Sequence, residues 1–182
     1  MDKNELCVIL LDKQHLEIYL KNYNFKYNMN VEDLKNLVKS IVEKATILKN
    51  KHIEYKNTPV NYACIFSQNN EEYKELLKTT RKIGKVIQET PSGFLFHIKP
   101  IQTISGFLKL LKIRIPDPTR PELGDADFTI PNFSEFEKKY LSKKGFKIIK
   151  KETFYMIELM DPAFDVRVYF SNPPLDLQLN IN

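Results

Sequence analysis

The stretch GDADFTIPNFSEFEKKYLSKKG, residues 124–145, decides the fold. Its first part alternates, so that Asp125 and Asp127 line one face of a strand and the apolar residues between them line the other. A Pro-Asn pair ends the strand, Ser134 offers a helix N-cap, and the residues after it have helical spacing. Gly145 stands where a helix C-terminus favours a left-handed residue. The stretch therefore predicts a strand, a turn and a helix.

The same order of elements occurs twice in the chain. After Gly145, three strand-like runs complete a βαβββ unit, at residues 146–151, 154–160 and 164–170. An earlier unit has a strand at 60–66, a helix at 71–83 ended by Gly84, and strands at 85–89, 94–99 and 107–115. The two glycines lie about sixty residues apart, which is the scale of a supersecondary repeat. We therefore expect an α+β fold in which two tandem βαβββ units form one curved mixed sheet.

Helical patterns precede the first unit. Residues 2–27 predict one helix, and Asn30 can cap a second helix at residues 31–50. The expected organisation is a helical appendage, residues 1–58, packed on a main domain, residues 59–182, with units at about 59–115 and 124–172. The Pro-rich loop PDPTRPELG, residues 116–124, joins the units, either as a wall of a site or as a plain crossover.

Charge and cysteine content restrict the class of protein. The formal net charge of +5 comes from lysines spread along the chain, with no dense basic block, so nucleic acid is not the expected partner. Cys7 and Cys64 fit neither a metal spacing nor a disulfide framework, which favours buried thiols in a reducing compartment. The apolar run at residues 6–11 is too short to span a bilayer and lacks a cleavage site. We expect a cytoplasmic protein with no membrane partner.

Two tandem βαβββ units, closed by IELMDPAFDVRVYF at residues 157–170, resemble the vicinal oxygen chelate superfamily of the glyoxalase and bleomycin-resistance type. A helical segment before VNYACIF, followed by GDADFTIP, is similar to the YecM-like branch of that group. The resemblance covers about residues 59–172. It implies a cup with helices outside, and metal ligands, usually His or Glu, on the first and last strand of each unit.

Carried over residue by residue, the resemblance gives an incomplete ligand set. The first-strand and last-strand positions of the two units fall at Asn61 or Tyr62, Lys112 or Arg114, Asp125 or Asp127, and Arg167 or Val168. Cationic side chains cannot bind a metal ion, so the usual four ligands are not all present. A divalent metal ion of unknown identity remains the expected cofactor, with Asp125, Asp127 and His97 as its candidate ligands.

Each of these residues also has a second interpretation. The aspartates could form ion pairs across the sheet. His97, on the polar face of FLFHIK, is the best-placed histidine for a ligand or a general base, but could be an ordinary polar-face residue. Glu158 is the other catalytic candidate, since a carboxylate buried beside Met156 would act as a general acid or base, whereas at an edge it would lie in water.

Arginine usage points to an anion site. Only four of the 28 basic residues are arginines, and three belong to the predicted cup: Arg114, Arg120 and Arg167. Because the planar guanidinium grips a carboxylate or phosphate at two points, these three and Tyr169 are the expected substrate-binding residues. The alternative is that the arginines pair with carboxylates of the protein itself: Asp125, Asp127, Glu158 and Asp165.

The combined expectation is a small-molecule enzyme or enzyme-like protein that takes a polar anionic metabolite. Its reaction class would be isomerase, lyase or dioxygenase, with help from a metal ion. The alternative is a non-catalytic binding module for a small anion. A homodimer is compatible with either function.

Overall fold

The computed structural model describes residues 29–152 and 154–181, and the helix expected at residues 2–27 lies outside these ranges. Four helices and eight strands follow in the described residues: α1 Val31–His52, β1 Val60–Phe66, α2 Asn70–Thr80, β2 Gly84–Thr90, β3 Gly93–Thr103, β4 Gly106–Arg114, β5 Gly124–Phe128, α3 Phe133–Tyr140, β6 Phe146–Lys150, β7 Tyr155–Leu159, β8 Val166–Asn172 and α4 Leu175–Gln178.

All eight strands belong to one sheet, in the order β2-β3-β4-β1-β5-β8-β7-β6. Within the first unit β1 pairs with β4 in parallel, and within the second β5 pairs with β8 in parallel. The first strands of the two units, β1 and β5, pair antiparallel and join the halves. The expected fold class, two βαβββ units in a curved mixed sheet with a helix before them, is therefore confirmed.

The two faces of the sheet differ in chemistry. One face carries the core: Ala126, Phe128 and Val168 are fully buried there, together with inward residues of every central strand. Because side chains alternate along a strand, the other face receives Asp125 and Asp127. We call this second surface the concave face. It carries most of the ionisable side chains of the central strands.

Helix α1 covers the core face. Asn30 begins it with a capping box, since its side chain accepts the N–H of Asp33 at 3.0 Å while Asp33 accepts the N–H of Asn30 at 3.1 Å. Its end is fixed by Lys49, which is fully buried and donates to the carbonyl oxygens of Tyr55 and Lys56 at 2.9 and 2.8 Å. Burial lowers the pKa of Lys49 to about 8. The helix packs against strands of both units and so ties the halves together.

Two local predictions need correction. Helix α3 is capped by Asn132, whose side chain accepts the N–H of Glu135 at 3.2 Å, and not by Ser134. Gly145 has the expected left-handed backbone, with φ of 93°, but Gly84 does not. The constraint on Gly84 is space, because a Cβ there would lie 2.6 Å from the carbonyl oxygen of His97 on β3.

The C-terminal segment is placed by a side-chain cap. Asn61 on β1 accepts the backbone N–H groups of Leu175 and Asp176 at 3.0 and 3.3 Å, which holds α4 at one end of the concave face. None of the helices in the described ranges combines the length and the apolar character that a membrane crossing requires.

Truncation of the core at the joint between the units should be costly. We expect Phe128→Ala to lower the free energy of unfolding by about 3–5 kcal/mol, because the ring is fully buried between the sheet and α1. Phe107→Ala is the matched control, since that ring is 63% exposed. Urea unfolding followed by circular dichroism measures both. Equal losses in the two variants would contradict the assignment of the core face.

Candidate functional site

A cleft of about 630 Å³ opens on the concave face. Strands from both units form its floor, and the C-terminal segment with α4 forms one wall. Its lining combines polar groups with an apolar border: Tyr62, Gln88, Thr90, Leu95, Lys112, Asp127, Phe154, Met156, Ser171, Pro173, Leu175, Gln178 and Leu179. Among these described lining residues, Lys112 is the one cation and Asp127 the one carboxylate.

Lys112 is held in place by two hydroxyl groups. Its Nζ donates to Thr90 Oγ1 at 2.9 Å and to Ser92 Oγ at 2.7 Å, which leaves one of its three N–H groups for another acceptor. Burial lowers the pKa of Lys112, because the charged amine loses contact with water. The result is a fixed, partly desolvated positive charge beside the cleft.

Asp127 faces the same cleft from β5. The backbone N–H of Ser171 donates to Asp127 Oδ1 at 3.1 Å, and the Ser171 hydroxyl donates to Oδ2. Burial raises the pKa of Asp127 to about 6, although the two bonds from Ser171 act in the opposite direction. Its strand position places it next to Tyr62 on β1 and Tyr169 on β8. The carboxylate therefore has a fixed orientation and a pKa near neutrality.

Asp125 lies deeper and does not line the cleft. It sits beside Cys64 on β1, is 6% exposed, and its Oδ1 has no hydrogen-bond partner among the described residues. Burial and the nearby Asp127 raise the pKa of Asp125 to about 8, while the positive charge of Arg120 partly opposes this rise. The raised pKa favours the protonated, uncharged form of the side chain, and its Oδ1 lacks a hydrogen-bond partner among the described residues.

A hydrogen-bond network fills the other half of the concave face. Arg120 Nη1 donates to the Tyr169 hydroxyl at 3.3 Å, and that hydroxyl donates to Glu158 Oε1 at 2.5 Å. Arg167 Nη1 also donates to Glu158 Oε1, at 3.1 Å, and Arg167 Nη2 lies 2.8 Å from Glu122 Oε1. The five side chains form one connected chain from the linking loop to β7.

The linking loop supplies the counter-charges for the arginines. Asp117 Oδ2 lies 3.1 Å from Arg114 Nη2 and 3.9 Å from Arg120 Nε. Both guanidinium groups lie over the ring of Phe66, at 5.8 and 5.5 Å from its centroid. The loop is therefore a wall of the concave face as well as a crossover between the units.

The expected substrate-binding residues lie next to each other, but they lie outside the cleft. Arg114, Arg120, Arg167 and Tyr169 are adjacent on the concave face, yet none of them lines the cleft. Carboxylates of the protein pair with all three arginines, but of the four expected partners only Glu158 is among them, and the others are Asp117 and Glu122 of the linking loop. The catalytic candidate Glu158 is 7% exposed, accepts hydrogen bonds from Arg167 and Tyr169, and is not among the residues that line the cleft.

The other catalytic candidate, His97, is elsewhere. It is exposed on β3 and borders a separate depression that shares no residue with the cleft. Two strands, β4 and β1, separate β3 from β5, and three strand spacings correspond to about 14 Å along the sheet. Alternation placed His97 on the correct face, but the strand order keeps it away from Asp125 and Asp127.

The described residues do not fit a divalent metal ion. In residues 29–152 and 154–181, no group of three or more His, Cys, Asp and Glu side chains is arranged to hold one. Asp127 already accepts two bonds from Ser171, and the nearest charges to Asp125 include the cations Arg120 and Lys112. Neighbouring positive charge opposes a divalent cation. The expected ligand set of Asp125, Asp127 and His97 is therefore not assembled here.

Sequence reasoning missed several residues that line the cleft. The sequence presented Lys112 and Tyr62 only as strand positions of the incomplete ligand set. It gave no role to Ser171 or to the segment that forms α4. One feature of the sequence does indicate the cleft. Lys112 and Asp127 occupy alternating polar positions of β4 and β5, and the repeat places these two strands on either side of β1.

The two βαβββ units and their shared concave face define a protein with a tandem βαβββ fold. Among solved structures, the chain is similar to "Structural Genomics, Protein EC4020", with a TM-score of 0.64 and 11% identity over 82% of this chain and 91% of that chain. It also matches a glyoxalase/bleomycin resistance protein/dioxygenase superfamily member from Vibrio splendidus 12B01, with a TM-score of 0.37 and 5% identity over 63% and 97% of the two chains. The first similarity supports the fold alone.

Sequence comparison adds no closer relative. The search against protein families gave no match, and the search of curated proteins gave none either.

The buried acid Asp125 should make stability depend on pH. Its pKa is about 8 in the folded protein against an ordinary 3.8, so the stability present below pH 4 is lost as the pH rises to 8. We expect Asp125→Asn to be more stable than the parent by up to about 5 kcal/mol at pH 8 and equal to it near pH 3.5. Urea unfolding across this range gives the comparison.

Asp127→Asn tests the coupling between the two acids. The charge of Asp127 is one cause of the raised pKa of Asp125, so its removal should move the loss of stability due to Asp125 to a lower pH. A constant difference between Asp125→Asn and the parent at every pH would show that Asp125 titrates normally.

The pairing of Arg167 predicts a structural cost for a conservative change. Arg167→Lys should lower the free energy of unfolding by about 1–3 kcal/mol, because one ammonium cannot hold both Glu122 and Glu158. Arg81→Lys, at an exposed position, should be neutral. If Arg167→Lys also leaves stability unchanged in chemical denaturation, the guanidinium is available to a ligand, as the sequence predicted.

Proposed function

We propose that the protein binds a small polar anionic metabolite in the cleft and catalyses a proton transfer on it. We further propose that it belongs to the vicinal oxygen chelate superfamily, within the YecM-like branch. The observation that carries the functional proposal is the pairing of one fixed cation, Lys112, with one fixed carboxylate, Asp127, in the lining of a single cleft. The helix before the first βαβββ unit supports the assignment to the branch.

Lys112 provides the recognition of the anion. Thr90 and Ser92 accept two of its N–H groups and aim the third. The cleft excludes part of the water around it, so that an ion pair formed there is stronger than one on an open surface. A carboxylate or phosphate group on Lys112 would leave the remainder of the ligand among Leu95, Met156 and Leu175.

The size and lining of the cleft define the ligand further. A volume of about 630 Å³ falls in the range of small-molecule pockets. Its apolar side chains suit a short carbon skeleton, and its polar side chains suit an anionic head group. Keto acids, hydroxy acids and sugar phosphates have this division between an anionic head and a less polar body.

Asp127 provides the proposed base. The two bonds from Ser171 fix both carboxylate oxygens, and a pKa raised toward neutrality allows the group to accept and return a proton at physiological pH. A C–H bond next to the ligand's carbonyl would lose its proton to Asp127. Return of the proton to a neighbouring atom gives an isomerase, and expulsion of a leaving group gives a lyase. The hydroxyl of Tyr62 lies beside the same cleft.

A non-catalytic anion-binding module is the second candidate. It is favoured by the same bonds from Ser171, because an acceptor that already receives two donors is a weaker base. The dioxygenase class stays a prediction. Assembly into a homodimer stays a prediction.

Removal of the cation should abolish recognition. In calorimetric titrations with panels of keto acids, hydroxy acids and sugar phosphates, Lys112→Gln should bind each ligand of the parent about tenfold or more weakly. Lys147→Gln, an exposed lysine on the outer strand β6, is the matched control and should bind as the parent does. A parent that binds no member of the panels, or a Lys112→Gln variant with unchanged affinity, overturns the anion site.

The base is tested separately on any ligand that binds. For an enzyme, Asp127→Asn should keep the ligand affinity within about threefold while losing about 100-fold or more of the proton exchange from the ligand carbon into solvent. Exchange is followed by nuclear magnetic resonance in deuterated water. If the parent binds the ligand but exchanges no proton, the protein is the non-catalytic module. Elemental analysis of protein purified without chelators accompanies these measurements.

A further inference from the structure

A second depression, of about 610 Å³, lies where the end of α2 meets β2, β3 and β4. Five basic side chains border it, together with His97: Arg81, Lys82, Lys85, Lys99 and Lys109. We call these five residues and His97 the basic depression. It shares no lining residue with the cleft on the concave face, so any ligand here is independent of the proposed function.

The basic depression groups five cations around one concavity. No carboxylate is among its described lining residues, and none of its five basic side chains takes part in an ion pair within the described ranges. Some lysines elsewhere have partners, such as Lys35 with Glu32 and Lys139 with Glu54, whereas the exposed Lys74, Lys144 and Lys147 take part in no ion pair within the described ranges. The depression is therefore distinguished by the grouping of its cations around one concavity and not by their lack of partners.

The dipole of α2 compensates the positive charge of only some residues of the basic depression. Arg81 and Lys82 follow the C-terminus of α2, where the partial negative charge of the helix favours cations. Lys85, Lys99 and Lys109 belong to three strands and have no such compensation. Like charges held around one concavity repel each other, and a concave, low-dielectric wall concentrates their field. An anion placed in the depression would relieve that repulsion.

We propose that the basic depression binds a compact polyphosphate, either free or carried on a nucleoside. Five cations around a single concavity match several phosphate charges on a short chain better than one isolated carboxylate or phosphate. Ile83, Ile98 and Pro100 form apolar parts of the lining, against which a flat ring could rest. An extended nucleic acid would need a basic stripe longer than one depression.

The test compares two charge-matched variants. Inorganic tripolyphosphate is titrated calorimetrically into the full chain at about 50 mM and about 200 mM salt, since ionic binding weakens with salt. Lys85→Glu/Lys99→Glu should bind it about tenfold or more weakly than the parent does. The control Lys144→Glu/Lys147→Glu makes the same change in net charge at exposed positions of the second unit and should stay within about twofold of the parent.

Two outcomes support the site. A nucleoside triphosphate that binds more tightly than tripolyphosphate shows that the ligand is a nucleoside polyphosphate, and equal affinities show that it is free polyphosphate. Equal weakening by the two Glu variants shows a general charge effect and overturns it, as does a parent that does not bind at low salt. A DNA duplex that binds more tightly than either polyphosphate also overturns it. Should the Glu variant unfold, Lys85→Gln/Lys99→Gln gives the same comparison without new negative charge.

Discussion

The antiparallel pairing of β1 with β5 is the constraint on which the rest of the structure depends. It joins the two units into one sheet and aligns Tyr62 with Asp127 and Cys64 with Asp125. Because side chains alternate along a strand, a slip of one residue would turn both carboxylates into the core beneath α1. The same register sets Lys112 and Arg167 on the strands that flank the pair. The chemistry of the concave face therefore follows from one strand pairing.

That pairing places acids where burial opposes their charge. The free energy of desolvation raises the pKa of Asp125 and of Asp127, and the protein compensates the two unequally. Ser171 gives Asp127 two hydrogen bonds, whereas Asp125 keeps an oxygen without a partner. Local rules of stability are commonly broken where a protein binds or reacts. The unequal treatment of two acids on one strand supports a functional concave face.

The repeat could be read from the sequence because it depends on local chemistry: period-two strands, helix caps and a left-handed Gly145. The partners of side chains could not, since they depend on which segments meet. Alternation gave the face of His97, but the strand order, which keeps it from Asp127, is a long-range property. The pairing of Arg167 with Glu122 required the path of the linking loop. In the sequence Lys112 is one of many lysines, and only the folded structure shows that it donates to Thr90 and Ser92.

The two units are alike, yet the concave face they share is not symmetric. The loop after β4 has no counterpart in the described part of the second unit, and its Asp117 and Glu122 form ion pairs with Arg114 and Arg167. The helix α4 follows only β8, and Asn61 holds it over the opposite side. The open cleft is what these two segments leave uncovered. Since both segments lie outside the repeated strands and helices, changes in them can alter the ligand while the sheet and its buried core stay the same.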